Sequence, residues 1–192
     1  MKITILGSGN VGSALASRLT AIGHEVVTTS TATGPDRTAA QAAQADVVIL
    51  AVPFAAVGAL DARVKTALSG KIVVDATNPL APDFMSLTVG HTVSGGEQVA
   101  ASLPGAHVVK AFNTVFAALL GEDGGGRFLP VTGDDETAKK TVLDLGAQLG
   151  FDAVDAGPLS NARYTEPAVE LLIQLAYGRG LGDRVAFTLT RA

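Results

Sequence analysis

Six residues near the amino terminus constrain this chain more than any others. A short apolar run, residues 3–6, stops at Gly7, and Gly7-Ser8-Gly9-Asn10-Val11-Gly12 then opens a stretch in which Val11, Leu15, Leu19 and Ile22 recur at helical spacing. A run of that length reads as a buried strand, and the turn that joins it to the helix fits G-x-G-x-x-G. In that motif Gly7 makes a tight turn, Gly9 lets a pyrophosphate approach the backbone, and Gly12 lets the helix pack close to the strand. The free N–H groups and positive dipole end of the helix would face the phosphates. With 22 glycines in 192 residues a bare match says little. The strand before it and the helix after it give it weight, against the competing explanation of a tight turn with no ligand. A valine at Gly9 or at Gly12 is expected to abolish dinucleotide binding in a protein that still folds.

Strands and helices go on alternating. Apolar runs mark strands over residues 26–29, 47–52, 72–75, 108–112, 128–131 and 153–155. Helical spacing marks residues 11–22, 39–45, 55–68, 94–103, 136–149 and 166–177, the third from last opening on the capping pair Ser94 and Glu97. This order predicts an α/β fold, a Rossmann-type doubly wound and largely parallel sheet with a C-terminal helical addition. A single NAD(P)-binding domain over residues 1–192 is expected, with the addition at about 157–192. Residues 78–96 form the longest stretch without periodicity; loops of that length are usually functional or disordered, and this one follows a strand. Residues 122–127 (EDGGGR) read as a flexible surface loop, and no internal repeat is visible.

Composition narrows the function. The chain is 47% hydrophobic and 17% charged, which suits a sheet covered on both faces. A net charge of −4 without a basic stripe argues against nucleic acid. The absence of cysteine excludes disulfides, thiolate metal sites and cysteine catalysis. His24, His91 and His107 are scattered without metal-ligand spacing, so no metal is expected. No apolar run approaches the roughly 20 residues of a membrane span, and the first apolar run is too short for a signal peptide. A cytoplasmic location with no membrane partner is the expectation.

The ribose end speaks to the choice of dinucleotide. NAD-binding versions carry an acid about 20 residues after the glycines. Here the second strand ends Thr28-Thr29-Ser30-Thr31, with no acid. Small hydroxyls leave room for a 2′-phosphate, and Arg37 is the nearby cation. NADP(H) is therefore expected over NAD, although Arg37 also reads as a solvated residue at a helix start.

The segments ITILGSGNVGSALASRL, ADVVILAVPF, KIVVDATNPL, HVVKAFNT, VTGDDETAKK and above all DAGPLSNARYTEP resemble the NADPH-dependent coenzyme F420 (deazaflavin) reductase family over essentially the whole chain. They resemble less closely the oxidoreductase domain of ferric-reducing membrane proteins. The resemblance implies a dinucleotide lying across the carboxyl ends of the strands, with a deazaflavin stacked on its nicotinamide for direct hydride transfer. It places the phosphates at Gly7, Ser8, Gly9, Asn10, Val11 and Gly12, and the 2′-phosphate at Ser30 and Thr31. Ala51, Val52, Pro53 and Phe54 would line the adenosine side, Asn78, Pro79 and Leu80 the nicotinamide, and Asn113 and Thr114 the second ring. The chain departs from the family in having Thr31 where an arginine is frequent, a short connection between its second and third strands, and Asn113 where deazaflavin reductases carry histidine.

Other candidates have simpler explanations. Lys110 inside an apolar strand reads as an edge lysine snorkelling to water. His91 reads as an exposed loop residue, Asp75 as a cap on the following turn, and residues 133–140 as a capped helix start. Val169, Leu171, Leu172, Ile173 and Leu175 surround too much of their helix for one buried face, which points to a homodimer. The leading expectation is an oxidoreductase moving a hydride between NADP(H) and coenzyme F420 or a flavin-like small-molecule acceptor, with no catalytic acid or base. A dinucleotide-binding module without turnover and a small-substrate dehydrogenase are the alternatives. The last needs a general base, and no histidine or lysine is convincing for that role.

Overall fold

The structure, a computed structural model, describes residues 1–191. Seven strands form one sheet: β1 (Lys2–Leu6), β2 (Glu25–Thr29), β3 (Val47–Leu50), β4 (Ile72–Asp75), β5 (His107–Lys110), β6 (Phe128–Gly133) and β7 (Asp152–Asp155). Their order is β2-β1-β3-β4-β5-β6-β7, and every neighbouring pair is parallel except β5 with β6. The helices are α1 (Asn10–Ala21), α2 (Pro35–Gln44), α3 (Phe54–Gly58), α4 (Ala62–Leu68), α5 (Gly95–Ser102), α6 (Ala117–Leu120), α7 (Glu136–Gln148) and α8 (Ala162–Ile173). α8 continues into one π-helical turn, Gln174–Gly178.

Strand side chains alternate between two cores, as a period of two requires. Ile3, Ile5, Val47, Ile49, Val74 and Val109 meet Leu15 and Leu19 of α1 and Val142 and Leu145 of α7. Leu6, Val48, Leu50, Val73 and Val108 meet Ala42, Val64, Leu68, Val99 and Leu103 on the α2, α4 and α5 side. The sheet is therefore wound on both faces, and its β1–β5 half has the Rossmann order without the outermost strand.

Several boundaries differ from the sequence pattern. The second helix starts at Pro35, not Ala39, because Gly34 (φ +76°) turns the chain and Pro35 has its φ preset for a first helical residue. The third strand ends at Leu50; Ala51 N–H still donates to Leu6 O at 2.8 Å, and Val52 lies beyond the strand. The helix expected over 55–68 splits in two, and the Asp61 carboxylate caps the second piece by accepting from Arg63 N–H at 2.9 Å. The last helix begins at Ala162 and tolerates Pro167 inside it. α6 has no counterpart in the sequence pattern. The capping pair at residues 94–97 forms in both directions, with Glu97 N–H donating to Ser94 Oγ and Ser94 N–H to Glu97 Oε2.

Candidate functional site

Two cavities open at the carboxyl edge of the sheet, one on each side of the glycine loop. The first, ≈ 550 Å³, lies where β1, β2 and β3 end. β2 and β3 flank β1 on opposite sides, so the connections above β1 diverge, and open α/β sheets bind ligands at such a switch point. The three glycines there do different work. Gly7 has φ +119°, donates its N–H to Thr29 O at 2.9 Å, and would put a Cβ 2.1 Å from Ala51 O. A Cβ on Gly12 would lie 2.0 Å from Gly7 O. A Cβ on Gly9, the N-cap of α1, would meet nothing within 4 Å. Gly7 and Gly12 thus lock strand, turn and helix together, while Gly9 faces open space. This corrects the expectation for Gly12: a valine there collides with the backbone of the turn itself, so the fold suffers before any ligand is involved. α1 has no acid in its first turn to compete with an anion for its N-terminal amides.

Ser8, Ser30, Thr31, Ala51, Val52 and Pro53 all line this first cavity, as do Gly34, Pro35 and Thr38. Ser30 is held by a short capping box, its N–H donating to Thr33 Oγ1 at 2.9 Å. Arg37 is exposed on α2 and does not line the cavity. The acid on the lining is Asp61, gripped on both oxygens by Arg63 (Nε to Oδ1 2.8 Å, Nη2 to Oδ2 2.9 Å). Those bonds hold the Asp61 carboxyl well below the usual range. Arg63 also donates to Asp36 Oδ1 at 2.6 Å. Arg63, which sequence reasoning passed over, is therefore the cation tied to this rim. The signal for it was the D-x-R spacing at a helix start.

The second cavity, ≈ 630 Å³, lies on the other side of the loop. Asn10 and Val11 border it from α1, Asn78 and Leu80 from the segment after β4, and Asn113 from the segment after β5. Phe112 has φ +64°, a left-handed backbone that a bulky residue rarely adopts. This kink lets two consecutive side chains, Phe112 and Asn113, both reach the cavity wall. Asn78 Nδ2 donates to Asn113 O at 2.9 Å, which leaves Asn78 Oδ1 to accept from Asn113 Nδ2 at 3.1 Å. The network fixes both amide orientations, so Asn113 Oδ1 is the buried atom left without a partner. Thr114 Oγ1 is likewise buried and unpaired. An unsatisfied buried polar atom costs about 1–3 kcal/mol, and of these two residues Asn113 is the one on the cavity wall.

Apart from Gly12, which is packed against the turn, three other expected site residues line neither cavity. Thr114 is enclosed behind the second one. Phe54 borders a smaller cleft with Gln98 and Val99. Pro79 packs its ring toward Gly95. Conversely, sequence reasoning missed five aromatic or sulfur side chains of the second cavity: Phe84, Met85, Phe112, Phe116 and Tyr177. For Phe84 and Met85 the available signal was an adjacent phenylalanine and methionine at the centre of the long loop after β4.

Lys110 does not snorkel. It shares the α5-side face with Val108, is 1% exposed, and lies 2.9 Å from both Asp75 Oδ2 and Glu166 Oε1. Its Nζ also donates to Thr77 O at 2.7 Å. Burial lowers the Lys110 pKa, but the two carboxylates outweigh it and leave it raised. Asp75 caps the turn as expected, accepting from Thr77 N–H at 2.9 Å, and holds Lys110 as well. Glu166 accepts from Gly95 and Gly96 N–H at 2.8 and 2.9 Å, so the surplus negative charge meets the N-terminus of α5. This cluster ties β4, β5, α5 and α8 together next to Asn78. It lines neither cavity. His91 is exposed, with φ +59°.

The family model described as NADP oxidoreductase coenzyme F420-dependent matches residues 2–79. The F420-dependent NADP reductase of Methanothermobacter marburgensis is 34% identical over 213 aligned positions, covering 91% of this chain and 92% of that one. This chain belongs to the coenzyme F420-dependent NADP oxidoreductase family. A crystal structure from Arthrobacter sp. FB24, named provisionally as an F420-dependent NADP reductase, superposes with a TM-score of 0.87 at 33% identity and full coverage of both chains. Metalloreductase STEAP3 of Rattus norvegicus is 34% identical over 179 residues, but that match takes in 86% of this chain and 36% of the relative, so the chain spans about a third of it. Among the described residues no helix is long and apolar enough to cross a membrane.

Proposed function

We propose that this chain is an NADP(H)-dependent oxidoreductase that moves a hydride between the dinucleotide and coenzyme F420 or a flavin-like acceptor. The observation that carries the reading is the pair of cavities joined across one glycine loop. The switch-point cavity fits the adenosine phosphate half of a dinucleotide: Gly9 leaves open the space that a Cβ would fill, and the α1 N-terminus faces it. Ser8, Ser30 and Thr31 would meet phosphate oxygens there. Across the loop, the amides of Asn78 and Asn113 suit the carboxamide of a nicotinamide, and the unpaired Asn113 Oδ1 needs an N–H donor. When bound, the dinucleotide supplies a hydride, and one proton from solvent completes the two-electron reduction of the acceptor. The chain's own residues then have to hold, align and exclude water.

A binding module without turnover would have no use for the second cavity. A dehydrogenase with a lysine base is disfavoured because Lys110 lies in a sealed ion cluster away from both cavities. We further propose one domain in which residues 157–191 wall the acceptor side, a cytoplasmic location where reduced dinucleotide is plentiful, and a homodimer. For the dimer, Val169, Leu172 and Ile173 are used within the chain, which leaves Tyr164 and Leu171 exposed two turns apart on α8. Light scattering on the purified chain tests the dimer, and cell fractionation the compartment. The test of activity is anaerobic mixing of protein, NADPH and coenzyme F420, or riboflavin, with both absorbances followed. Absence of turnover with every acceptor would remove the reading.

A further inference from the structure

The chain has seven phenylalanines and two tyrosines. Phe84, Phe112, Phe116 and Tyr177 line the second cavity, and no aromatic residue lines the first. Two of these four are left largely in water, Phe84 66% exposed and Tyr177 60% exposed. Large apolar rings at the lip of a cavity are surface waiting to be covered.

Phe84 is displayed by a built element. Leu80 and Leu87 pair as an antiparallel bridge, Ala81 N–H donates to Ser86 O at 2.8 Å, and Phe84 N–H donates to Ala81 O at 2.8 Å. The tip is set further by Met85 N–H donating to Asp83 Oδ1 at 3.0 Å. Phe84 itself has φ +59°. A left-handed aromatic residue persists only where its surroundings over-determine it, and such positions gather at ligand clamps. The hairpin is tied to the opposite lip, because Gln174 Nε2 donates to Met85 O at 2.6 Å. Gln174 opens the π-helical turn that carries Tyr177, whose ring stands edge-on to Phe116 (5.9 Å between centroids, 84° between planes). Isolated π-turns are frequent at functional sites.

We propose that Phe84 and Tyr177 form an aromatic clamp, carried by the 80–87 hairpin and the π-turn and tied by Gln174, which closes on the flat heteroaromatic ring of the redox partner. The inference rests on the proposed hydride-transfer function and names the residues that select its second substrate. The occupant is a fused ring with an amide-type edge: the rings at the lips supply stacking surface, and the Asn10 amide at the loop side supplies a donor and an acceptor, beside the Asn78–Asn113 pair that faces the nicotinamide.

The experiment measures binding apart from turnover. Riboflavin and its 5-deaza analogue are titrated into protein saturated with NADP⁺, with flavin fluorescence as the readout, and acceptor KM is measured with NADPH. Phe84→Ala and Tyr177→Ala are each expected to weaken ring binding and raise acceptor KM about tenfold, the scale of one aromatic contact, with NADPH Kd within twofold of the parent. Phe84→Tyr restores both values, and Gln174→Met weakens ring binding with both rings intact. Unchanged ring binding in both alanine variants overturns the clamp, as does failure of the parent protein to bind either ring. A parent that binds the rings but transfers no hydride overturns the proposed reaction and leaves the clamp standing.

Discussion

The Lys110 ammonium lies 2.9 Å from the Asp75 carboxylate, and neither side chain reaches solvent. A buried pair of this kind is weak evidence of net stabilisation, but removing one member strands the other's charge. Lys110→Met leaves two buried carboxylates, Asp75 and Glu166, without their cation. It is expected to cost about 3–5 kcal/mol, measured as a lowered urea midpoint. Lys110→Met combined with Asp75→Asn and Glu166→Gln should recover part of that loss, since members of one network are not additive. Turnover per folded molecule should fall far less than loss of a catalytic base would cause; a collapse of turnover in folded Lys110→Met protein would show that lysine taking part in the chemistry.

Gly9 and Gly12 should separate binding from folding. Gly9 has φ −74°, open to any residue, and a Cβ added there would have no atom within 4 Å. Gly9→Val is expected to keep the parent's melting temperature within a few degrees and lose NADPH binding by calorimetry. Gly12→Val drives a side chain into the Gly7 carbonyl, 2.0 Å from the Cβ position. It should lower the melting temperature strongly, because overpacking against backbone has no flexible neighbour to yield.

Most of the scaffold was legible because it rests on local rules. The strands of the parallel half read as apolar runs, and the glycine loop and the Ser94–Glu97 box declare their own turn chemistry. What could not be read depends on contacts far apart in sequence. Lys110 looked like an edge residue because its two partners lie 35 and 56 positions away, one on another strand and one on α8. Proximity in sequence points to Arg37 as the ribose-side cation, yet the chain brings Arg63 to the rim through Asp61 and Asp36. The acceptor-side aromatics Phe84 and Tyr177 are 93 positions apart and meet at the cavity through the Met85–Gln174 contact.

Cofactor preference follows from charge at the first cavity. NADPH is expected to bind more tightly than NADH, and Thr31→Asp should shift the balance toward NADH by repelling the 2′-phosphate. Arg63→Gln uncovers the Asp61 carboxylate on the cavity lining. It should weaken NADPH more than NADH, by the small margin that an exposed charge contributes. Arg37→Gln, away from the lining, should change neither constant beyond error. Calorimetric Kd values for the two dinucleotides check all three variants, and an Arg37 effect larger than the Arg63 effect would reverse the assignment.

Acid should loosen the join between α5 and α8. Arg163 donates to Glu97 (Nε to Oε2 2.9 Å), and this bond, with smaller help from Ser94, holds the Glu97 carboxyl at about 2. A carboxyl depressed in the folded state contributes stability above its unfolded pKa of about 4.3 and loses it as pH falls toward the folded value. Urea midpoints taken from pH 6 down to pH 3 should therefore fall more steeply for the parent than for Glu97→Gln. Parallel curves would show that the ion pair adds nothing to stability.

The charge at the mouth of the second cavity should discriminate among acceptors. Asp83 and Asp183 both line it, whereas none of its lining residues is lysine or arginine. Of the cations beside Asp183, Arg184 is engaged by Glu122 at 2.8 Å, and Arg179 is exposed outside the lining. An acceptor with an anionic side chain must bring that charge past two carboxylates, while the same ring without it does not. Flavin mononucleotide is therefore expected to show a higher KM than riboflavin at low ionic strength. The gap should narrow with added salt, because exposed charges are screened over roughly 10 Å at 0.1 M. Asp83→Asn combined with Asp183→Asn should lower the flavin mononucleotide KM by about 0.2–1 kcal/mol per charge removed and leave the riboflavin KM in place. Equal KM values for the two flavins at low salt, or a salt effect of the same size on both, would mean that these carboxylates do not face the incoming acceptor.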